Sequence, residues 1–136
     1  MPSSITSSEP VRVLLVDDNQ AILARVETVL SPSCVVVGSA TDGKTAVSAA
    51  LELEPDVVVL DISMPGMSGF EVAARLRTEG SGAAVVFLTV HDEEELVSAA
   101  RQSGGIGYVV KPRIGSDLLT AVKEAHAGRS FISPLG

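Results

Sequence analysis

The sequence has 136 residues, of which 46% are hydrophobic and 20% charged, as is typical of one soluble globular domain. Its net charge of −7 argues against direct binding of nucleic acid, whose phosphates would repel the chain. The single cysteine, Cys34, excludes an intrachain disulfide and fits a reducing cytoplasm, and every apolar run falls short of the roughly 20 residues that a membrane span needs.

The chain begins with a polar, Ser-rich stretch over residues 1–10. This stretch has no apolar segment of the kind found in signal peptides, so we expect a disordered tail. The folded domain is expected over residues 11–131. Residues 132–136 are interpreted as a short exit segment.

Five short apolar runs predict β-strands. They cover residues 11–16, 34–40, 56–60, 83–90 and 106–110. Their nearly continuous apolar character is typical of strands that are buried on both faces of a parallel sheet. Cys34 begins one of these runs, and we interpret it as a core residue.

Five amphipathic or Ala-rich stretches alternate with the strands and predict α-helices. They cover residues 21–30, 43–53, 70–80, 93–104 and 116–128. Ser68 with Glu71, and Asp92 with Glu95, have the spacing of capping boxes at two helix starts. Glycines stand where three of the helices should end, at Gly80, Gly104 and Gly128.

This alternation predicts an α/β fold, a doubly wound five-stranded parallel sheet with helices on both faces. Right-handed crossovers leave few topologies, and at this size the flavodoxin-like strand order 2-1-3-4-5 is the natural one.

Polar residues follow the predicted strands where ligands bind in open parallel sheets. Asp17 and Asp18 follow the first strand, Asp61 the third, Thr89 lies near the end of the fourth, and Lys111 follows the fifth. The first and third strands are neighbours, so the three carboxylates should converge and repel one another unless a divalent cation or an ammonium group is near. Oxygen ligands favour Mg²⁺, with Mn²⁺ as a substitute. A carboxylate beside a cation, an ammonium and a hydroxyl can accept a phosphoryl group.

Each of these residues also has a simpler explanation when it is taken alone. Asp17 or Asp18 could equally be the N-cap of the first helix. Asp61 could cap a loop, Thr89 could be an ordinary strand residue, and Lys111 a solvated surface lysine. Their joint occurrence at four strand ends favours a common site.

Four motifs carry a family resemblance: LLVDDN (14–19), VVVLDISMPGMSGFE (57–71), FLTVHD (87–92) and GYVVKP (107–112). In their order and spacing the chain resembles the CheY-like receiver domains of bacterial two-component response regulators. The segment LLTAVKEAHAGRSFISP resembles the last helix and exit of receivers that precede a LuxR/NarL-type helix-turn-helix domain.

The resemblance implies the chemistry of the site. Asp61 matches the phospho-accepting aspartate, and Lys111 matches the lysine that pairs with the phosphoryl group. Asp17 and Asp18, together with Asp61 and the backbone carbonyl of Ser63, match the ligands of Mg²⁺.

The resemblance also implies a switch. Thr89 matches the family's switch residue that carries a hydroxyl group, and Tyr108 matches the family's aromatic switch residue. The peptide bond before Pro112 is a candidate for the cis isomer, which is common at this position in the family. Val90 is bulkier than the small residue often found at its position in the family and should narrow access to Asp61. Ser63 and His91 flank the site and should tune the lifetime of the phosphoryl group.

The implied function is that of a cytoplasmic signalling switch and not of an enzyme with its own turnover. A sensor histidine kinase would phosphorylate the chain, and the output would be transcription through a DNA-binding domain that follows this chain. Receivers of this kind often form homodimers when phosphorylated. The alternatives are a phosphorylation-independent interaction receiver and a stand-alone regulator.

Two other classes fit the residues less well. A haloacid-dehalogenase-type phosphatase would need an acid/base aspartate at the position of Ser63. A flavodoxin-type binder would need a phosphate-cradling loop after the first strand, where the acidic VDDNQ has no glycine.

Overall fold

The computed structural model describes residues 9–90 and 94–134. Its strands are β1 (Val11–Val16), β2 (Cys34–Ala40), β3 (Val57–Asp61), β4 (Ala84–Thr89), β5 (Gly107–Val110) and β6 (Phe131–Ile132). Its helices are α1 (Gln20–Leu30), α2 (Gly43–Leu53), α3 (Gly69–Thr78), α4 (Glu94–Gln102) and α5 (Ile114–His126), with a 3-10 turn at Lys111–Arg113. Most of the predicted tail, His91 and the capping aspartate Asp92 lie outside the described residues.

The strands form one parallel sheet in the order β2-β1-β3-β4-β5-β6. The predicted order of the first five strands is therefore confirmed, but the prediction of five strands is wrong. The sixth strand pairs with β5, with Phe131 opposite Gly107 and Ile132 opposite Tyr108. Two residues are too few to show the alternation or apolar run by which a strand is recognised in a sequence.

The core consists of two layers because successive strand residues point to opposite faces of the sheet. Leu14 and Val16 lie in the layer covered by α2, α3 and α4, whereas Val13 and Leu15 lie in the layer covered by α1 and α5. Cys34 belongs to the second layer and is 5% exposed, which confirms its interpretation as a core residue. Both layers bury strand side chains, as the apolar runs predict.

Helix ends explain several sequence features. The N-cap of α1 is Asn19, whose side chain accepts hydrogen bonds from the N–H groups of Ala21 and Ile22. Asp17 and Asp18 are thus not needed as caps. Ser68 and Glu71 form the predicted capping box of α3.

Two further expectations about backbone are decided by the structure. The glycines at the three predicted helix ends, Gly80, Gly104 and Gly128, all have positive φ, as expected of residues that terminate helices. The Lys111–Pro112 bond is not cis, so the expectation of a cis isomer is wrong. The bond lies instead within a 3-10 turn that leads directly into α5.

No helix among the described residues is both long enough and apolar enough to cross a membrane.

Candidate functional site

Asp17 is a buried carboxylate directly after β1. It is 1% exposed, and its N–H donates to the carbonyl oxygen of Ala40 on the neighbouring strand β2. Its Oδ1 accepts a hydrogen bond of 2.8 Å from the N–H of Asn19. These bonds fix the carboxylate at the carboxyl end of the sheet, while the next residue, Asp18, is exposed.

Asp61 is the last residue of β3, a strand in which every residue is buried. The residue is only 3% exposed, and its Oδ1 accepts a hydrogen bond of 3.3 Å from the N–H of Ser63. Asp61 therefore does cap the loop that follows it. This hydrogen bond alone is modest compensation for burying a carboxylate.

The approach of α3 to the end of β3 depends on Gly69. The N–H of Gly69 donates to the carbonyl oxygen of Ile62 at 2.8 Å. A Cβ at this position would lie 2.3 Å from the carbonyl oxygen of Asp61 and 2.9 Å from Cα of Ile62. Only glycine permits this contact, so the residue that opens α3 also shapes the loop beside Asp61.

Lys111 joins the two buried carboxylates. Its Nζ lies 2.9 Å from Asp17 Oδ2 and 3.3 Å from Asp61 Oδ1, and its side chain is 15% exposed. The strand order explains this meeting, since β1, β3 and β5 all end at the same edge of the sheet. The structure thus brings together Asp17, Asp61 and Lys111, as the polar strand ends predict.

Electrostatics at the site follow from burial and from these contacts. Desolvation raises the pKa of Asp61 to about 6, and the charge of Asp17 adds to the effect, while Lys111 and the Ser63 N–H oppose it. Burial alone would lower the pKa of Lys111, but its contacts with Asp17 and Asp61 outweigh burial and raise that pKa. Lys111 is therefore a permanent cation here, and Asp61 is largely ionised at neutral pH.

The residues at the site fit a divalent cation. One carboxylate oxygen from each of Asp17, Asp18 and Asp61 lies within 4.8 Å of the others. Asp17 Oδ2 is buried, and its contact with Lys111 has the distance of an ion pair without the direction of a good hydrogen bond. A buried oxygen without a well-directed donor suits a metal ligand, and an all-oxygen set suits Mg²⁺ or Mn²⁺.

The remaining predicted residues lie around this cluster. Thr89 ends β4 and is 2% exposed, one position beyond the residue paired with Asp61. Tyr108 lies on β5 opposite Phe87 and is also 2% exposed, so its ring is inside the core. Val90 is 67% exposed, so it does not cover the site as a buried side chain would.

Sequence reasoning missed one polar cluster near the site. Asp117, on α5, is buried and binds Arg113, Ser116 and Ser133. Arg113 and Asp117 have the spacing of a helical ion pair, which was a usable signal. The contact with Ser133 spans 16 residues and leaves no local pattern.

A family model described as the response regulator receiver domain matches residues 13–123. The chain belongs to the response-regulator receiver family. Receiver domains of this family are regulatory domains and not catalytic enzymes. The two-component resemblance seen in the four motifs is therefore confirmed at the level of the family.

Two curated bacterial regulatory proteins are relatives of this receiver. The chain is 37% identical to the nitrate/nitrite response regulator protein NarL of Escherichia coli over 132 residues, covering 95% of this chain and 61% of that protein. It is 42% identical to the positive alginate biosynthesis regulatory protein of Pseudomonas aeruginosa over 118 residues, covering 85% of this chain and 47% of that protein. The chain thus spans about half to three fifths of these relatives.

Solved structures agree with the family. The receiver domain of the response regulator NarL from Mycobacterium tuberculosis is similar, with a TM-score of 0.85 and 36% identity, covering 89% of this chain and 99% of that chain. CheY in a CheX–CheY–BeF3–Mg²⁺ complex from Borrelia burgdorferi has a TM-score of 0.79 and 25% identity, covering 85% of this chain and 89% of that chain. The flavodoxin-like receiver fold is therefore established.

Proposed function

We propose that this receiver is a phosphorylation-activated switch in which Asp61 accepts a phosphoryl group from a sensor histidine kinase. The observation that carries the proposal is the contact of one lysine, Lys111, with two buried carboxylates, Asp17 and Asp61. A buried acid pair held beside a permanent cation is costly as mere structure. The same arrangement is useful at a site that accepts a phosphoryl group, because the lysine can neutralise part of the negative charge that the group brings.

The reaction would transfer one phosphoryl group from a phosphohistidine of the kinase to Asp61. An ionised oxygen of Asp61 attacks phosphorus, and the new O–P bond gives an acyl phosphate while the N–P bond of a phosphohistidine breaks. The electron pair of that bond stays on the imidazole nitrogen, which takes up a proton. The pKa of about 6 keeps Asp61 mostly ionised at neutral pH, as a nucleophile requires.

Charge on the transferring group needs compensation from the protein. Lys111 would pair with a phosphoryl oxygen, and the hydroxyl of Thr89 would donate to another. Asp17, Asp18, Asp61 and the backbone carbonyl of Ser63 would hold Mg²⁺, or Mn²⁺ in its place. The metal would supply further positive charge against the phosphoryl oxygens. The Borrelia burgdorferi CheY complex with BeF3 and Mg²⁺ supports this part of the proposal.

The signal would arise from a shift between two conformations. Thr89 would bond the phosphoryl group, and Tyr108 would fill the space beside β4, changing the surface formed by α4, β5 and α5. The ring of Tyr108 is buried in the core, which is the position that the proposed switch requires of it.

The output would be transcription. In this proposal residues 1–10 are a tail, residues 11–131 form the receiver, and residues 132–136 lead toward a DNA-binding output domain. The chain covers only 61% of NarL from Escherichia coli, which leaves room for such a domain in the natural protein. DNA would bind to that domain and not to this acidic chain, and phosphorylation in the cytoplasm could favour a homodimer.

The direct test is the intact mass of the protein after incubation with Mg²⁺ and acetyl phosphate. We expect a gain of one phosphoryl group, lost in Asp61→Asn and without Mg²⁺. A gain that persists in Asp61→Asn would place the acceptor elsewhere. No gain from either acetyl phosphate or a phosphorylated histidine kinase would favour a phosphorylation-independent interaction receiver.

A further inference from the structure

The exit strand β6 is attached to β5 by the backbone. The N–H of Phe131 donates to the carbonyl oxygen of Ile106 at 3.1 Å, and the N–H of Ser133 donates to that of Tyr108 at 2.8 Å. The strand therefore binds the same segment that carries the switch aromatic. Two backbone bonds alone would hold a two-residue strand weakly.

A buried hydroxyl strengthens this attachment. Ser133 is 1% exposed, and its Oγ donates to Asp117 Oδ2 at 2.8 Å. The same Oγ accepts a hydrogen bond of 3.3 Å from the N–H of Val110. One side chain thus connects the exit segment, the end of β5 and the first turn of α5.

Asp117 is held in place by three other donors. Nε of Arg113 lies 2.6 Å from Oδ2, Nη2 of Arg113 lies 3.2 Å from Oδ1, and Ser116 Oγ donates to Oδ1 at 3.0 Å. Hydrogen bonding by Arg113 lowers the pKa of Asp117, and Ser133 and Ser116 act in the same direction. The carboxylate is therefore charged and fixed in orientation, as an anchor for the exit segment must be.

The position of Lys111 links this network to the phosphorylation site. Its neighbour Val110 donates to Ser133, and two residues later Arg113, at the end of the same 3-10 turn, binds Asp117. Lys111 thus lies between two residues that the network holds, while its Nζ contacts Asp17 and Asp61. A movement of Lys111 toward a phosphoryl group would therefore displace Val110 and Arg113 and strain their hydrogen bonds to Ser133 and Asp117.

We propose that the Ser133–Asp117 pair is a latch that couples docking of the exit strand to the state of the Asp61 site. The proposal rests on the proposed phosphorylation function and adds the route by which the signal leaves the domain. Coupling between two sites is reciprocal in equilibrium binding. Occupation of the Asp61 site therefore changes docking of β6, and weakening the latch changes binding at Asp61.

The experiment uses beryllofluoride with Mg²⁺ as a reversible phosphoryl analogue. Tyr108 is the chain's single tyrosine and the chain has no tryptophan, so its fluorescence reports the titration. We compare wild type, Ser133→Ala and Ser116→Ala. Ser116 also donates a hydrogen bond to Asp117, and within the described part of the chain its hydroxyl bonds α5 and the turn before it instead of the exit strand, so Ser116→Ala is the matched control.

We expect the beryllofluoride affinity of Ser133→Ala to differ from that of wild type by about fivefold or more, the lower range of allosteric coupling. The affinity of Ser116→Ala should stay close to that of wild type. Equal affinities in Ser133→Ala and wild type would overturn the latch while leaving the phosphorylation function intact. No beryllofluoride binding to wild type, together with no gain in mass from phosphodonors, would overturn both.

Hydrogen exchange on wild type supplies a test that needs no variant. Beryllofluoride should change the exchange rates of the Phe131 and Ser133 amides by about fivefold or more, which corresponds to the same coupling. Unchanged rates at both amides, in protein shown by fluorescence to be saturated, would overturn the proposal even if Ser133→Ala fails to fold.

Discussion

The ammonium of Lys111 lies against the carboxylate of Asp17, with Nζ 2.9 Å from Oδ2. That aspartate also belongs to the cluster of three acidic residues that could hold a divalent cation. The lysine and a cation are thus attracted to the same carboxylates. The balance between them should set how readily the site accepts Mg²⁺.

We predict that Lys111→Met binds Mg²⁺ on the order of tenfold more tightly than wild type, because repulsion between two cations is removed. Isothermal titration calorimetry measures the affinity. Lys123→Met removes the same charge from an exposed position on α5 and is the matched control. Weaker Mg²⁺ binding in Lys111→Met would contradict the competition and indicate that Lys111 organises the carboxylates instead.

Asp61 should reduce the stability of the metal-free protein at neutral pH. Its folded-state pKa is about 6 against an ordinary value of 3.8. Between these values the folded protein keeps a proton that the unfolded chain has lost, so the free energy of unfolding falls as pH rises through this range. Above about pH 6 both states are ionised and the penalty is constant.

Asp61→Asn should therefore stabilise the protein in EDTA at pH 7, by up to about 3 kcal/mol at 1.4 kcal/mol per pKa unit. The gain should shrink toward pH 4. Urea unfolding at several pH values measures it, and Asp18→Asn removes a neighbouring but exposed carboxylate as the control. If Asp61→Asn is less stable than wild type at pH 7, Lys111 compensates Asp61 fully and the penalty does not exist.

Gly69→Ala should disturb both stability and phosphorylation. The added methyl would meet backbone atoms of Asp61 and Ile62, which cannot rotate away as a flexible side chain can. We expect a loss of about 2 kcal/mol in the free energy of unfolding and slower gain of the phosphoryl group. Gly82→Ala is the control because a Cβ there meets nothing within 4 Å. Similar losses in both variants would mean that the close approach of α3 is unimportant.

The reactivity of the Cys34 thiol can report local unfolding of the core layer that α1 and α5 cover. Burial raises the pKa of its thiol, while Lys123 opposes this effect, and only 5% of the residue is exposed. A thiol reagent should therefore react orders of magnitude more slowly with native protein than with a free thiol. Reaction at the free-thiol rate in native buffer would show that β2 opens readily at its first residue.

Local signals predicted most of the fold correctly. The limits of β1, β2 and α2 agree with the structure because turn residues bound each apolar or helical run. The meeting of Asp17 and Asp61 could be predicted as well, since strand order decides which strand ends are neighbours.

What could not be predicted depends on non-local contacts. Strand β6 forms because β5 offers it a partner, and the pairing of Ser133 with Asp117 joins residues that no repeating pattern connects. The trans bond before Pro112 lies within a 3-10 turn, which the Lys-Pro dipeptide alone does not predict. The closer contact of Lys111 with Asp17 than with Asp61 depends on side-chain geometry.

The short strand β6 also has a protective consequence. A fragment that ends at Gly128, just after α5, would lack it. In that fragment β5 would become an exposed edge strand. It would lose the hydrogen bonds that β6 and Ser133 make to the carbonyl groups of Ile106 and Tyr108 and to the N–H of Val110. Exposed edge strands can pair with strands of other molecules. Fragments prepared for biochemistry should therefore extend through Ser133, since shorter ones would be prone to aggregate by strand exchange.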